Sequence, residues 1–168
     1  MGDGREADFD EFYRGSRRRM LGYVYALTGD VVEAQDVVQE AFVRAWQRWA
    51  SVGRYPSPES WVRVVAGRIA ISRWRGRRSR ARAYARHGAP PDVDGPTPDT
   101  VALVGALRQL PASMRTTLAL HYVLGLSIAD IAAETDAPVG TVKARLSRGR
   151  VALAQLLADD NLTEVRRG

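Results

Sequence analysis

The 168-residue chain contains no cysteine. That removes disulfide staples and thiolate-bound zinc, and it suits a reducing compartment. Histidine occurs only twice, as His87 and His121, and no G-x-S-x-G, P-loop or G-x-G-x-x-G stretch occurs. With no nucleophile–base arrangement in view, the chain is expected not to be an enzyme, and to need neither a cofactor nor a metal; His121 reads as a packing or surface residue. Long apolar runs are missing as well. None approaches the roughly 18 residues of a membrane span, and the first twelve residues, MGDGREADFDEF, are too acidic and polar for a secretory signal. A cytoplasmic protein without membrane insertion is expected. Strand alternation is absent throughout, and so, nearly, is lysine: of 25 basic residues only Lys143 is one. Arginine forks suit planar phosphate contacts, and the net charge of +6 on a chain that is 45% hydrophobic and 26% charged describes a basic globular protein.

What is present is helical periodicity in two blocks. Phe9, Phe12, Met20, Leu21, Val24 and Leu27 predict a first helix over 8–28, interrupted by Arg17, Arg18 and Arg19 and ended by Gly29. Asp30, with Glu33 three residues on, reads as a capping box opening a second helix over 31–50. That helix would bury Val37, Val38, Phe42, Ala45 and Trp49, leaving Asp36, Gln39, Glu40 and Arg44 on its outer face. A loop over 50–56 holds Gly53, Arg54 and Tyr55. Ser57-Pro58 then starts a third helix carrying Trp61, Val64, Val65, Ile69 and Trp74. Its C-terminal half is basic: Arg68, Arg73, Arg75, Arg77, Arg78, Arg80, Arg82 and Arg86 follow one another without an acid. A solvated helix normally mixes its charges. A one-signed run with aromatics suits nucleic acid, whose phosphates follow the arginines while unpaired bases stack on the rings.

Residues 87–97 read as a flexible linker rich in proline and glycine, with Asp92 and Asp94 reversing the charge. Beyond it, Pro98 opens a helix with Val101, Leu103, Val104, Leu107 and Leu110 as candidate core. Another follows over 111–123, drawing its core from Met114, Leu118, Leu120 and Tyr122. The stretch 125–150, GLSIADIAAETDAPVGTVKARLSRGR, then reads as a helix-turn-helix. Ser127 caps the first helix with Asp130 completing a capping box, and Ile128, Ile131 and Ala132 form its apolar stripe. The turn falls at Thr135, Asp136 and Ala137, with Pro138 at the first position of the second helix. Val139, Val142 and Leu146 face inward there, and Thr141, Lys143, Ala144, Ser147 and Arg148 outward. No acid interrupts 138–157, as a helix lying in a DNA major groove requires. That helix continues through Leu153, Leu156 and Leu157, and the final LTEVRRG is expected to fray. The fold class is therefore all-α, as two small helical domains, 8–86 and 98–160, joined by the flexible linker.

These motifs resemble those of an extracytoplasmic-function sigma factor of bacterial RNA polymerase, over nearly the whole chain. Asp30, Ala34, DVVQEAF at 36–42, Arg44 and Trp46 match the core of the family's region 2, although Gln35 replaces the usual acid. The stretch 107–150 matches region 4, with Thr135-Asp136 where Leu-Gly is common; aspartate tolerates the left-handed backbone such a turn needs. The resemblance implies that Asp36, Gln39, Glu40 and Arg44 bind the clamp-helix coiled coil of the polymerase β′ subunit. It implies −10 recognition and melting by Arg54, Tyr55, Trp61, Arg68, Arg73, Trp74, Arg75 and Arg77. Arg68 stands where asparagine is usual and Ser72 where aspartate or asparagine is common. In region 4, Lys143, Ala144, Ser147 and Arg148 would approach −35 base edges, with Thr141, Arg145 and Arg150 on phosphates and the domain docked on the β flap. The linker would thread the polymerase cleft, and an anti-sigma factor is an implied partner. The spacing PESWVRVVAGRIAISRWRGRR is closest to an actinobacterial, sigma-E-like subgroup, and no appended regulatory module is expected after residue 168. The alternative is a stand-alone helix-turn-helix regulator binding operator DNA. A sensor half, however, has no need of the 36–40 face or of a one-signed arginine run.

Overall fold

The computed structural model describes the backbone over residues 3–80 and 96–167, and side chains over 4–76 and 96–159. The linker up to residue 95, with Arg82 and Arg86, lies outside the described residues, as do the side chains of Arg77, Arg78 and Arg80. No strand occurs among the described residues, and the chain divides into two compact helical units, 1–87 and 88–168.

In the first unit, α1 (Asp3–Thr28), α2 (Val31–Gln47), the short α3 (Trp49–Val52) and α4 (Pro58–Arg80) pack around one core. α1 begins five residues earlier than periodicity suggests. Its buried stripe is Ser16, Met20, Tyr23, Val24 and Leu27, while Phe9, Phe12 and Leu21 are half-buried. The Asp30 cap forms, its Oδ1 accepting the Glu33 N–H at 2.9 Å. The Asp30 N–H, however, is donated to Thr28 Oγ1 at 3.4 Å, so the preceding threonine supplies the return bond expected of Glu33. The second helix stops at Arg48, whose φ of −111° and ψ of 14° leave the helical region. The break lets Trp49 fold back against Phe9 and Phe12, with ring centroids 5.1 and 5.0 Å away. Stacked and edge-to-face ring pairs of this kind add roughly 0.5–1.5 kcal/mol beyond area burial, which offsets the hydrogen bonds lost at the break. What reads in sequence as a loop over 50–56 is therefore helical up to Val52. Ser57 caps α4, its Oγ accepting the Ser60 N–H at 3.2 Å.

The core face of α4 is built mostly from its smaller residues. Val62, Ala66, Ile69 and Ala70 are buried, whereas Trp61, Val64, Val65 and Trp74 remain half-exposed. The small residues decide this: alanine lets α4 approach α1 and α2 closely, and Gly67 has the Tyr23 hydroxyl 3.0 Å from where a Cβ would sit. The bulkier residues flank the seam.

The second unit comprises α5 (Pro98–Gln109), α6 (Ala112–Leu118) continuing into a π-helical turn (Ala119–Val123), α7 (Ile128–Thr135) and α8 (Val139–Arg167). Thr97 caps α5 by accepting the Thr100 N–H at 3.3 Å. Val104, Leu107 and Leu110 are buried as expected, but Val101 and Leu103 are 52% and 40% exposed. Leu103 lies about 100° around the helix from Val104, and Val101 sits in the first turn, where side chains tilt back past the neighbouring helix. Val139, in the first turn of α8, is exposed for the same reason, so the inward stripe of α8 is Val142, Leu146 and Gly149. At Gly149 a Cβ would meet Leu118 Cδ1 and Met114 Cγ at 2.9 Å, so glycine is what lets α8 lie against α6. A buried guanidinium also supports this unit: Arg115 Nη2 donates to the Leu110 carbonyl at 3.1 Å, and burial, then the nearby Arg108, lowers its pKa. α8 runs on to Arg167, so the terminal segment expected to fray is helical in its backbone to that point.

Candidate nucleic-acid interface

Three surfaces carry the residues singled out from the sequence. The first is the outer face of α2. Each residue advances about 100° around a helix, which places Asp36, Gln39, Val43 and Gln47 on one stripe opposite the buried Val37, Ala41 and Ala45. Asp36 and Gln39 are exposed, and between them Val43 is 48% exposed. Glu40 and Arg44 lie at the edge of this stripe, turned toward α4. One Glu40 oxygen accepts from Arg44 Nη2 and the other from Arg73 Nη2, each at 2.5 Å. The polar face adjoins an open groove of about 430 Å³ between α1 and α2, floored by Phe9, Tyr13, Phe42 and Trp46 and rimmed by Glu6 and Asp10. Val43 and Gln39 border this groove and also a shallow hollow on α2 lined by Asp36, Glu40, Arg44 and Gln47. Val43 is not among the residues predicted for this face; its signal in the sequence is the i, i+4, i+7 series Gln39, Val43, Trp46.

The second surface is α4 with the loop before it. Arg54 and Tyr55 are exposed in that loop, Tyr55 at 45%. Trp61, Arg68 and Arg75 recur at seven-residue intervals and share one face of α4. Trp61 and Arg68 line a cleft of about 380 Å³ with Arg44 and Arg48 from α2 and its end. A half-exposed indole edged by three guanidinium groups offers a stacking plane with phosphate donors beside it. Arg73 does not join that face. It prolongs the buried stripe four residues beyond Ile69, which leads its side chain to Glu40. Trp74 is half-exposed on the far side of the seam. The seven −10 candidates with described side chains therefore separate, and Arg48, not among them, joins the cleft. The signal for Arg48 was its i+4 spacing from Arg44.

The third surface is the helix-turn-helix. Ser127 Oγ accepts the Asp130 N–H at 3.1 Å and donates to Asp130 Oδ2 at 2.6 Å, so the acid anchors the capping hydroxyl instead of reaching back to the Ser127 backbone. Asp136 takes the left-handed conformation at φ 50° and ψ 45°, the only non-glycine residue with positive φ among those described. Pro138 sits one position before the first helical residue of α8, and its carbonyl accepts the Val142 N–H at 3.1 Å. With Ile131, Val142 and Leu146 buried, α8 turns Lys143, Ser147 and Arg148 outward, all exposed, with Thr141, Ala144 and Arg145 half-exposed at the edges. Arg150 is exposed and donates from Nη1 to the Tyr122 hydroxyl at 3.1 Å. Tyr122, placed in the sequence among possible core residues, is 56% exposed: the π-helical turn that keeps Leu118, Ala119 and Leu120 inside rotates it outward. His121 is half-buried, its Nδ1 2.9 Å from the Leu126 carbonyl, a packing position.

A family model described as Sigma-70 region 2 matches residues 12–80, and one described as Sigma-70, region 4 matches residues 100–153. The ECF RNA polymerase sigma factor SigL of Mycobacterium tuberculosis is 34% identical over 148 residues, 84% of each chain. The chain belongs to the ECF RNA polymerase sigma factors. It is also 32% identical to SigC of Mycobacterium tuberculosis over 169 residues, 96% of this chain and 89% of that one. The fold is that of the sigma factor RpoE from Bartonella quintana, solved in complex with the anti-sigma factor NepR: the TM-score is 0.74 at 24% identity, over 90% of this chain and 97% of that one. As a sigma factor, the protein directs promoter-specific initiation by RNA polymerase. Region 2 spans the α2 and α4 surfaces, and region 4 the helix-turn-helix. Among the described residues no helix is long and apolar enough to cross a membrane.

Proposed function

We propose that the two units divide promoter reading between them while the polymerase performs the chemistry. In this reading residues 8–86 bind the core through Asp36, Gln39, Glu40 and Arg44, with the exposed Val43 beside them, against the β′ clamp helices. Trp61, Arg68 and Arg75, with Arg54 and Tyr55 on the preceding loop and Arg73, Trp74 and Arg77 along α4, receive the −10 element and its separating strand. Residues 98–160 dock on the β flap and lay α8 in the −35 major groove. There Lys143, Ala144, Ser147 and Arg148 meet base edges, and Thr141, Arg145 and Arg150 meet phosphates. The linker 87–97 joins the two readers. The protein works in the cytoplasm, without a cofactor and without catalysis of its own.

The single observation that supports this best is the outward presentation of Lys143, Ser147 and Arg148 on a helix anchored by Val142 and Leu146. A solvated hairpin has no need of an acid-free outer face. Promoter-specific run-off transcripts from purified protein plus core enzyme are the expected result. Absence of both transcripts and core binding overturns the reading, and tight binding of the free protein to duplex operator DNA would point to the stand-alone regulator. One small module makes few phosphate contacts, so free binding is expected to be weak.

An anti-sigma partner belongs to the same reading. The aromatic groove between α1 and α2 adjoins the face assigned to the polymerase, so a protein lying in it would block core binding. Co-purification from unstressed cells is the test. Recovery of only free or polymerase-bound protein counts against it.

A further inference from the structure

The face of α8 assigned to the −35 element has a neighbour from outside that helix. The π-helical turn carries Tyr122 out of the core to 56% exposure, and its hydroxyl oxygen accepts from Arg150 Nη1 at 3.1 Å. Arg150 follows Lys143 by seven residues and Ser147 by three. At about 100° and 1.5 Å per residue it returns to their side of α8, roughly 10 Å beyond Lys143 along the axis. We propose that the Tyr122 hydroxyl and Arg150 together clamp one phosphate of the −35 backbone, so that Tyr122 is a direct DNA contact. The inference rests on the proposed function, which lays α8 in the −35 major groove.

A phenol has one O–H donor and two acceptor lone pairs. Arg150 takes one lone pair, and among the described residues no acceptor takes the hydroxyl proton. A cationic donor on the oxygen polarises the O–H bond and strengthens its proton as a donor. Arginine has five N–H donors in a planar fork, of which this bond uses one. The pair therefore offers an O–H beside further N–H groups, a donor set suited to a phosphate, whose oxygens only accept. The tyrosine is also held in place. Its ring meets His121 edge to face, with centroids 4.8 Å apart, and His121 Nδ1 lies 2.9 Å from the Leu126 carbonyl. A side chain ordered before binding spares the complex that cost. DNA is favoured as the occupant because the clamp shares a side with Lys143 and Ser147, within a stretch, 138–157, that holds no acid. A duplex engaged by those residues continues past Tyr122.

The test compares holoenzymes carrying wild-type protein, Tyr122→Phe and Arg150→Gln. Promoter affinity is measured over a range of salt, on promoters that differ in −35 sequence. Neutral methylphosphonates are then placed one at a time along the −35 backbone. Y122F is expected to weaken every promoter alike, about three- to tenfold, the range of one hydrogen bond, with core affinity unchanged. A phenol neutralises no phosphate, so the salt slope of Y122F should match wild type, whereas R150Q should lower it by about 0.9. At one position the methylphosphonate should erase most of the difference between wild type and Y122F, and the same position should absorb the loss in R150Q. A merely structural role for the hydroxyl would not map to one phosphate. Wild-type affinity of Y122F overturns the inference, as does a loss equally large at every methylphosphonate position. Weaker core binding by Y122F would place Tyr122 on the polymerase and overturn it too. If Y122F melts too low to assay, R150Q reads the same clamp from α8, and a loss in R150Q that no single position absorbs overturns it equally. Failure of the wild-type holoenzyme to select promoter DNA would strike at the proposed function instead.

Discussion

The two units present their basic helices in opposite ways. In α4 the described arginines are interleaved with the packing: Arg73 is drawn to Glu40, Arg68 borders a cleft with Trp61, and Arg75 is exposed. In α8 packing and presentation are separated by face, with Val142, Leu146 and Gly149 inward and Lys143, Ser147 and Arg148 outward. The difference teaches what each surface demands of its scaffold. A helix reading a rigid duplex needs one clean face, because the major groove accepts a cylinder edge-on. A surface receiving a separated strand needs cavities and stacking planes between helices, so its residues must come from α2, α4 and the loop between them.

The comparison breaks most readily at the anchor of the helix-turn-helix. Ile131 is fully buried beneath α8, and Ile131→Ala should destabilise the second unit by about 2–5 kcal/mol. Hydrogen exchange of α7 and α8 amides reads this directly, and unchanged protection there would mean that α8 holds its face without α7. Next comes Arg148→Ala, expected to lose about 1–3 kcal/mol of −35 affinity in holoenzyme and to relax preference at one base pair. Equal loss at every promoter would make Arg148 a phosphate contact, and the two faces less different than they look. Asp136→Ala places a Cβ-bearing residue without a helpful carboxylate in the left-handed turn, at roughly 1–2 kcal/mol in thermal unfolding, with Asp136→Gly near neutral. The smallest effect is expected at the α1–α4 ion pair. Arg19 meets Glu59 through Nε at 3.0 Å and Nη2 at 2.7 Å, and this hydrogen bond, then the charge of Glu59, raises the Arg19 pKa. Because Arg19 is more than half exposed, Glu59→Gln should change first-unit stability by only about 0.2–1 kcal/mol, less as salt rises. A larger, salt-independent loss would show Glu59 to act through packing or hydrogen bonding and not through a screened surface charge pair.

Much of this was legible from residue order. Asp30, Ser57 and Ser127 cap the helices that periodicity predicted, and Val37, Val38, Phe42, Ala45 and Trp49 are all buried as expected. The candidate site was legible as a roster of residues and less so as an arrangement. Trp61, Val64 and Val65 are half-exposed while the seam belongs to Val62, Ala66 and Ala70, because close helix approach selects small side chains over large ones. Tyr122 looked like core until the π-helical turn rotated it to Arg150.

Residue order alone determined the all-α class, the two units, the caps, the left-handed turn at Asp136 and the acid-free face of α8. Each follows from interactions reaching no further than about four residues, or from a periodicity that needs no partner. Only the tertiary structure decided that Glu40 turns to Arg73, 33 residues away, and that Tyr122 meets Arg150, 28 residues away. Such bonds depend on how far apart two helices pack and on which rotamer survives between them. No local spacing in the chain encodes either.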